Sequence, residues 1–556
     1  MTDFRRFSRR WAVLLPVVLL LLGAAPGPDR PVVDTDRGPV RGLGHGAYDT
    51  FEGIPFAAPP TGPLRWRLPE AASRWQGVRD AGTPGSRCVQ PPAVGPGGPT
   101  GSEDCLYLNV TAPAGRAADG GRGRPVMVWF HGGGFFSGAG DAYRPERLAA
   151  QGGVMVVTVN YRLGVFGLFG HPELGGAPDF ALADQRAALR WVRANAARFG
   201  GDPGNVTVFG ESAGALSVCA HLASPASAGL FDRAIVQSGS CSTTAPPWSL
   251  LPGLGTYEPF VPEARTVADG ALAAARLGCD RPGGVLDCLR RLDTGALATS
   301  ELMQRFSLVS YGNSVLPLEP RRALEAGRFH RVPVVQGFNQ DEMRLFLAQT
   351  LAGYPIPDPA AYRARLERSF DPPTARAVEA AYPVSAFASP AVAWATVLTD
   401  ASFACPTLRD GAALGRYVPV YAYRFSDRGA PDFTGLPVPP DLPFGATHGF
   451  ELPYLFTIAP LTAPQRGLAD RMADYWTEFA RTGVPAAPGA PRWPGGRTSA
   501  SVLSLAPGAG GIRAVDARGG APLRALGRAV ARGHQRSVMF SCGPVEVWRV
   551  TVPVSP

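Results

Sequence analysis

The chain has 556 residues, 45% of them hydrophobic and 18% charged, with 68 Gly and 57 Pro. Gly and Pro together make up about 22% of it, short of the ~25–30% at which a chain reads as low-complexity, so a large folded core is expected. All 54 basic residues are Arg and the net charge of +9 is dispersed; the densest late run, Arg524 to Arg536, is short and not interleaved with aromatics, which argues against nucleic-acid binding.

The first element in chain order is Arg5-Arg6-Phe7-Ser8-Arg9-Arg10, followed by the apolar run Trp11 to Ala25 and then by small residues and Pro. A charged segment, an apolar core and a small-residue zone read as a secretory signal over residues 1–25, which is removed on export. The apolar run holds 15 residues including Pro16, against the ~20 that a spanning helix requires, so no stable membrane anchor is expected. Ser8-Arg9-Arg10-Trp11 leaves the twin-arginine route open. An exported, extracellular chain with eight cysteines is expected to hold them as disulfides, since an oxidising compartment favours pairing. Cys88 and Cys105, and Cys279 and Cys288, each bracket a local loop; count alone does not give the connectivity. No His/Cys spacing suits zinc, so neither a metal nor a cofactor is expected.

Beyond the leader, short Val- and Ile-rich runs recur: Val126 to Phe130, Val154 to Asn160, Val206 to Phe209, Ala234 to Gln237, Val332 to Gln336 and Val418 to Tyr423. Helix-like segments lie between and after them, notably Phe180 to Phe199 and Arg466 to Arg481. Strand and helix in alternation predict an α/β fold with a large, mostly parallel sheet covered by helices on both faces. Gly/Pro-rich stretches at 83–101, 115–124, 251–264, 426–445 and 483–498 read as loops, and no linker divides the composition, so residues 30–556 are read as a single domain.

Chemistry concentrates after two of those strands. Val206-Thr-Val-Phe-Gly-Glu-Ser-Ala-Gly214 runs from a strand through Gly-x-Ser-x-Gly into a helix-like segment, the pattern of a nucleophile elbow that exposes Ser212 at a tight turn. Earlier, Val126-Met-Val-Trp-Phe-His-Gly-Gly-Gly-Phe135 puts a glycine triplet at the end of a strand. Backbone N–H groups of Gly133, Gly134 and Ala213 can converge on one oxygen and stabilise an oxyanion.

A serine needs a base, and the base a third group to fix its tautomer; in this arrangement the order along the chain is Ser, acid, His. Of the seven histidines, position leaves His448, in the loop-like Gly445-Ala-Thr-His-Gly-Phe450, and His534 in an Arg-rich segment; His448 is favoured. The acid follows Val332-Pro-Val-Val-Gln-Gly337, where Asp341 and Glu342 both fit.

These residues resemble the type-B carboxylesterase family, which includes the para-nitrobenzyl esterases and the cholinesterases. The resemblance extends to Phe51-Glu-Gly-Ile-Pro-Phe-Ala57, Ser102-Glu-Asp-Cys-Leu-Tyr-Leu-Asn109, Asn160-Tyr-Arg-Leu-Gly164, Ala183-Asp-Gln185, Gln237-Ser-Gly239 and His448-Gly-Phe-Glu451. It implies an α/β-hydrolase fold and a serine carboxylic ester hydrolase with Ser212, Glu342 and His448 as triad. It also implies Gly133, Gly134 and Ala213 as oxyanion donors, with Glu211 and Ser238 flanking and supporting the triad. The resemblance suggests the pairs Cys88–Cys105, Cys279–Cys288 and Cys405–Cys542, which leaves Cys219 with Cys241, and it marks Arg65 with Glu103 and Arg162 with Asp184 as structural ion pairs. Phe306, Leu308 and Phe346 fall where the family lines its acyl pocket, the alternative being plain core packing. The stretch between Cys88 and Cys105 carries no aromatic residue to hold a quaternary ammonium by cation–π attraction, so uncharged esters, with water as co-substrate, are expected over choline esters. Two other readings fit less well: a lipase, which needs an apolar lid, and a binding protein that has lost its triad, which the presence of all three residues disfavours.

Overall fold

The computed structural model describes residues 30–92, 98–115, 123–495 and 501–516. The expected leader, His534 and Cys542 lie outside the described residues. Eleven strands form the main sheet: β1 (Leu43–Gly44), β2 (Tyr48–Pro55), β3 (Tyr107–Pro113), β4 (Arg124–Phe130), β5 (Met155–Val159), β6 (Gly201–Glu211), β7 (Arg233–Gln237), β8 (Val334–Asn339), β9 (Val420–Phe425), β10 (Ser501–Leu505) and β11 (Arg513–Asp516). Their spatial order is β11-β10-β9-β8-β7-β6-β4-β5-β3-β2-β1. The pairings from β5 through β10 are parallel, whereas β1, β2, β3 and β11 join antiparallel at the two edges.

The six strand-like runs of the sequence are all strands of this parallel block. They read as unbroken apolar runs because both faces are covered. In β4, Val126, Val128 and Phe130 enter one core while Met127 and Trp129 enter the other; in β6, Val208 and Phe209 part the same way. The antiparallel strands β2 and β3 carry polar residues and β2 bulges between Phe51 and Ile54, so neither reads as an unbroken apolar run in the sequence.

Helix α1 (Phe180–Asn195), extended by a 3₁₀ turn to Phe199, covers the first core with Phe180, Leu182, Leu189 and Val192. Helix α2 (Ala213–Ala223) follows β6 directly. Helix α3 (Met343–Thr350) follows β8, and helix α4 (Ala463–Thr482) covers the second core with Leu468, Met472, Trp476 and Phe479. A capping box starts α4: Thr462 N–H donates to Gln465 Oε1 at 3.0 Å, and Gly483 ends the helix in the left-handed region at φ 82°. Helices Pro359–Ser369, Pro372–Ala381 and Pro390–Thr399 pack beside α3 into a third core around Trp394, Leu366 and Val378.

Disulfides join Cys88 to Cys105, Cys219 to Cys241 and Cys279 to Cys288, and Cys405 is also disulfide-bonded. Arg65 meets Glu103 through two hydrogen bonds of 2.8 and 2.6 Å, and buried Arg162 grips Asp184 the same way at 2.8 and 2.7 Å. These pairs tie loops to the scaffold rather than serve chemistry.

Candidate active site

Strand β6 ends at Glu211 and α2 starts at Ala213, so Ser212 turns the chain in one residue, at φ 56° and ψ −121°. A side chain at positive φ is strained, and the neighbours show what enforces it. A Cβ on Gly214 would lie 1.9 Å from the Phe130 carbonyl oxygen, and one on Gly210 would lie 2.5 Å from the Gly214 carbonyl carbon. Only glycine lets β6, α2 and the end of β4 approach so closely. Ser212 N–H donates to the Gln237 carbonyl at 3.0 Å, which pins the turn to β7. The neighbouring residues are buried while Ser212 stays half-buried.

The glycine triplet after β4 lies alongside. A Cβ on Gly132 would sit 3.2 Å from Ser212 Cβ, and Gly133 and Gly134 hold φ of 103° and 61°. Ser137 N–H donates to Gly133 O at 3.0 Å and curls the segment into a tight loop. Beneath it His131 stacks on Tyr161 at 4.3 Å, and burial lowers its pKa to about 4, which keeps the ring neutral. Among the described residues, no protein acceptor takes the N–H groups of Gly133, Gly134 and Ala213; the last is an unpaired first-turn donor of α2, at the positive end of its dipole.

His448 sits in the loop that returns from β9, with its Nδ1 2.6 Å from Glu342 Oε2. Glu342 is fully buried and its other oxygen accepts Asn339 N–H at 2.7 Å. With Nδ1–H donating to the carboxylate, Nε2 carries the lone pair. That nitrogen lies 3.1 Å from Glu211 Oε1 but off the line of a hydrogen bond, so neither atom has a hydrogen-bond partner among the described residues. Because Glu211 is chain neighbour to Ser212, the contact sets the imidazole beside the serine turn.

The electrostatics are those of one crowded, dry cluster. Burial pulls the His448 pKa down, and the carboxylates of Glu211, Glu342 and Glu451 outweigh it, raising it to about 9. Burial pushes Glu211 up to about 8 against the pull of His448, and Glu451 up to about 7, with Glu342 adding to both. These groups titrate together: a proton on Glu211 removes its pull on the imidazole and frees His448 to be neutral. Glu451 is held by Asn339 Nδ2 at 2.6 Å.

Of the two acids that fit by position, the one the family resemblance implies is the one turned to the imidazole. Glu342 faces the imidazole, whereas the Asp341 carboxylate turns away to Arg344 at 2.7 Å and Arg428 at 2.9 Å. Ser238, at φ 51° and 1% exposed, lies behind the turn with its N–H on the Gly337 carbonyl at 2.9 Å. Of the expected acyl-pocket residues, Phe346 lies 4.8 Å from the His448 ring. Phe306 packs edge-on against Phe169 in the main core, and Leu308 is half-buried just ahead of the strand Val309–Tyr311. Phe403, which the sequence did not single out, lies tilted 5.5 Å from the His448 ring and stacks 6.4 Å from Phe346. It sits in the π-helical turn Asp400–Ala404, a local irregularity that apolar periodicity does not announce.

Comparison with known proteins follows the same line. The family model described as Carboxylesterase family matches residues 29–510. The para-nitrobenzyl esterase of Bacillus subtilis (strain 168) is 35% identical, over 83% of this chain and 92% of its own length. The cocaine esterase of Oryctolagus cuniculus is also 35% identical, over 84% and 90%, and the fumonisin B1 esterase of Sphingopyxis macrogoltabida 34%, over 87% and 88%. A solved PNB esterase superposes with a TM-score of 0.71 at 30% identity, covering 89% of this chain and 99% of that one. With its mostly parallel sheet, this chain has the α/β-hydrolase fold, belongs to the carboxylesterase family and is a carboxylic ester hydrolase.

Proposed function

We propose that the protein is an exported serine carboxylesterase that hydrolyses uncharged carboxylic esters through Ser212, His448 and Glu342. The observation that carries this reading is the 2.6 Å contact of Glu342 Oε2 with His448 Nδ1, beside a serine held at positive φ. Ser212 Oγ attacks the ester carbonyl while His448 Nε2 takes its proton, and Glu342 holds the ring in the tautomer that leaves Nε2 free. The carbonyl oxygen gains charge and meets the unengaged N–H groups of Gly133, Gly134 and Ala213. The imidazolium then returns the proton to the departing alcohol, leaving Ser212 acylated. Water, deprotonated by His448, repeats the attack and releases the acid.

On the acyl side, Phe346 and Phe403 offer apolar faces against His448, which favours an uncharged, apolar acyl group. The three disulfides support export, since an oxidising compartment favours pairing.

The test is the initial rate across p-nitrophenyl esters of increasing acyl length. Ser212→Ala is expected to lose about 10⁵-fold or more in kcat while remaining folded. Glu342→Gln is expected to lose about 10⁴-fold, because the neutral amide no longer fixes the tautomer. Unchanged turnover in Ser212→Ala overturns the reading, and a steep rise in rate above the solubility limit of the ester identifies a lipase instead.

A further inference from the structure

We propose that Asp341 is a positioning residue that sets the Glu342–His448 contact by clasping shut the loop that carries the histidine; this rests on the triad reading above. The loop leaves β9 at Phe425 and reaches His448 some twenty residues later through a Gly/Pro-rich stretch with no regular structure of its own. Such a stretch does not hold a catalytic base in register by itself.

Asp341 touches both ends of it. At the start, Arg428 Nε donates to Asp341 Oδ2 at 2.9 Å and its Nη2 to Oδ1 at 3.1 Å. At the end, Ala446 N–H donates to Asp341 Oδ2 at 3.1 Å, and Asp341 N–H returns a bond to the Ala446 carbonyl at 2.9 Å. Arg344 adds a third link: it pairs with Asp341 Oδ1 at 2.7 Å and donates to the Pro443 carbonyl at 2.8 Å. The chain passes so close that a Cβ on Gly445, at φ 60°, would lie 2.6 Å from Asp341 Oδ2. One buried carboxylate therefore fixes the loop two residues before His448, and its chain neighbour is Glu342. Thr447 completes the junction: its Oγ1 donates to the Glu342 carbonyl at 3.2 Å and accepts Leu345 N–H at 2.8 Å. The two adjacent acids divide the work, one facing the imidazole and the other holding the segment that delivers it.

Two variants separate positioning from mere stability. Asp341→Asn strips the anion from buried Arg344 and so also risks the fold. Arg428 is 58% exposed, and Arg428→Gln cuts one arm of the clasp while Arg344 stays paired. Each full-length protein is assayed with p-nitrophenyl acetate across pH, and the imidazole Nδ1 proton is followed as a low-field NMR resonance. Arg428→Gln is expected to lower kcat about threefold and Asp341→Asn about tenfold, with KM within twofold, since misplacement costs the chemical step. The groups facing His448 are Glu342, Glu211 and Glu451; a less closely held Glu342 lowers the imidazole pKa, so the acid limb of kcat moves to lower pH. The low-field resonance weakens in step, and Arg428→Lys restores part of both signals.

Folded Arg428→Gln with wild-type kcat, acid limb and resonance overturns the proposal. A wild-type protein that shows the resonance yet hydrolyses no ester overturns the proposed function instead, and the clasp is then judged on the resonance alone.

Discussion

Glu211 precedes Ser212 and is buried with one oxygen 3.1 Å from His448 Nε2. Its pKa is raised by burial to about 8, so its charged form is disfavoured in the fold. A carboxyl with a raised native pKa stabilises the fold most at low pH, and that contribution is lost as pH rises from its ordinary value near 4.5 toward 8. His448, raised from 6.5 to about 9, has the same sign: its contribution is complete below 6.5 and gone above 9. The Tm of the wild type is therefore expected to fall between pH 5 and pH 9, and to fall less in Glu211→Gln. The Glu211 carboxylate is one of the charges that hold the His448 pKa up, so the same variant should also move the acid limb of kcat to lower pH. Thermal scans and pH–rate profiles check both; a Glu211→Gln acid limb at or above the wild-type position contradicts the electrostatic account.

At the scale of the element, the strand–turn–helix around Ser212 works because two glycines remove atoms where backbones cross. Gly214→Ala would put a methyl 1.9 Å from the Phe130 carbonyl oxygen. It is expected to cost more than about 3 kcal/mol, or to prevent folding outright. A helical glycine with open space around it gives the opposite sign. Gly467 in α4 meets nothing within 4 Å, and Gly467→Ala is expected to stabilise by about 0.5–1 kcal/mol through the unfolded chain. Denaturant titration of the two variants reads that contrast directly. Beside the elbow, Cys219 of α2 is bonded to Cys241, just after β7, so the helix that follows Ser212 is tied to the neighbouring strand.

Across the whole molecule, the site draws on residues far apart in the chain that the sheet order brings to one edge. Strands β4, β6, β7 and β8 are parallel, and β6 and β8 flank β7. Their carboxyl ends therefore present the glycine triplet, Ser212, Ser238 and Glu342 together, and His448 arrives on the loop after β9. The disulfides fix loops around this frame. Replacing Cys219 and Cys241 together by Ala is expected to cost about 2–4 kcal/mol of stability, chiefly by freeing the unfolded chain. The shape of the pH–rate profile should persist in the folded fraction; a changed profile would place the bridge in the chemistry.

The sequence was informative where local backbone demands are severe. The glycines around Ser212 and the triplet after β4 are legible because no other residue fits those turns, and the buried parallel strands are legible as continuous Val-rich runs. Helices α1 and α4 are legible as well, within a few residues at their ends. The antiparallel strands β2 and β3 were not, since polar residues interrupt both and β2 bulges, so neither shows a continuous apolar run. Nor was Phe403, whose place beside His448 depends on a π-helical turn.

By itself, then, the sequence determined the α/β class, the order of the parallel strands along the chain, the elbow serine and the glycine loop. Each of these follows from contacts between near neighbours in the chain. The family resemblance pointed to Glu342 and left Cys219 to Cys241; the tertiary structure supplied the contact of Glu342 with the imidazole, the turn of the Asp341 carboxylate to Arg344 and Arg428, and the bond between Cys219 and Cys241. Adjacent side chains of one turn point in different directions, and which one meets a partner a hundred residues away is set by the packing of the strands between them, not by the residues themselves.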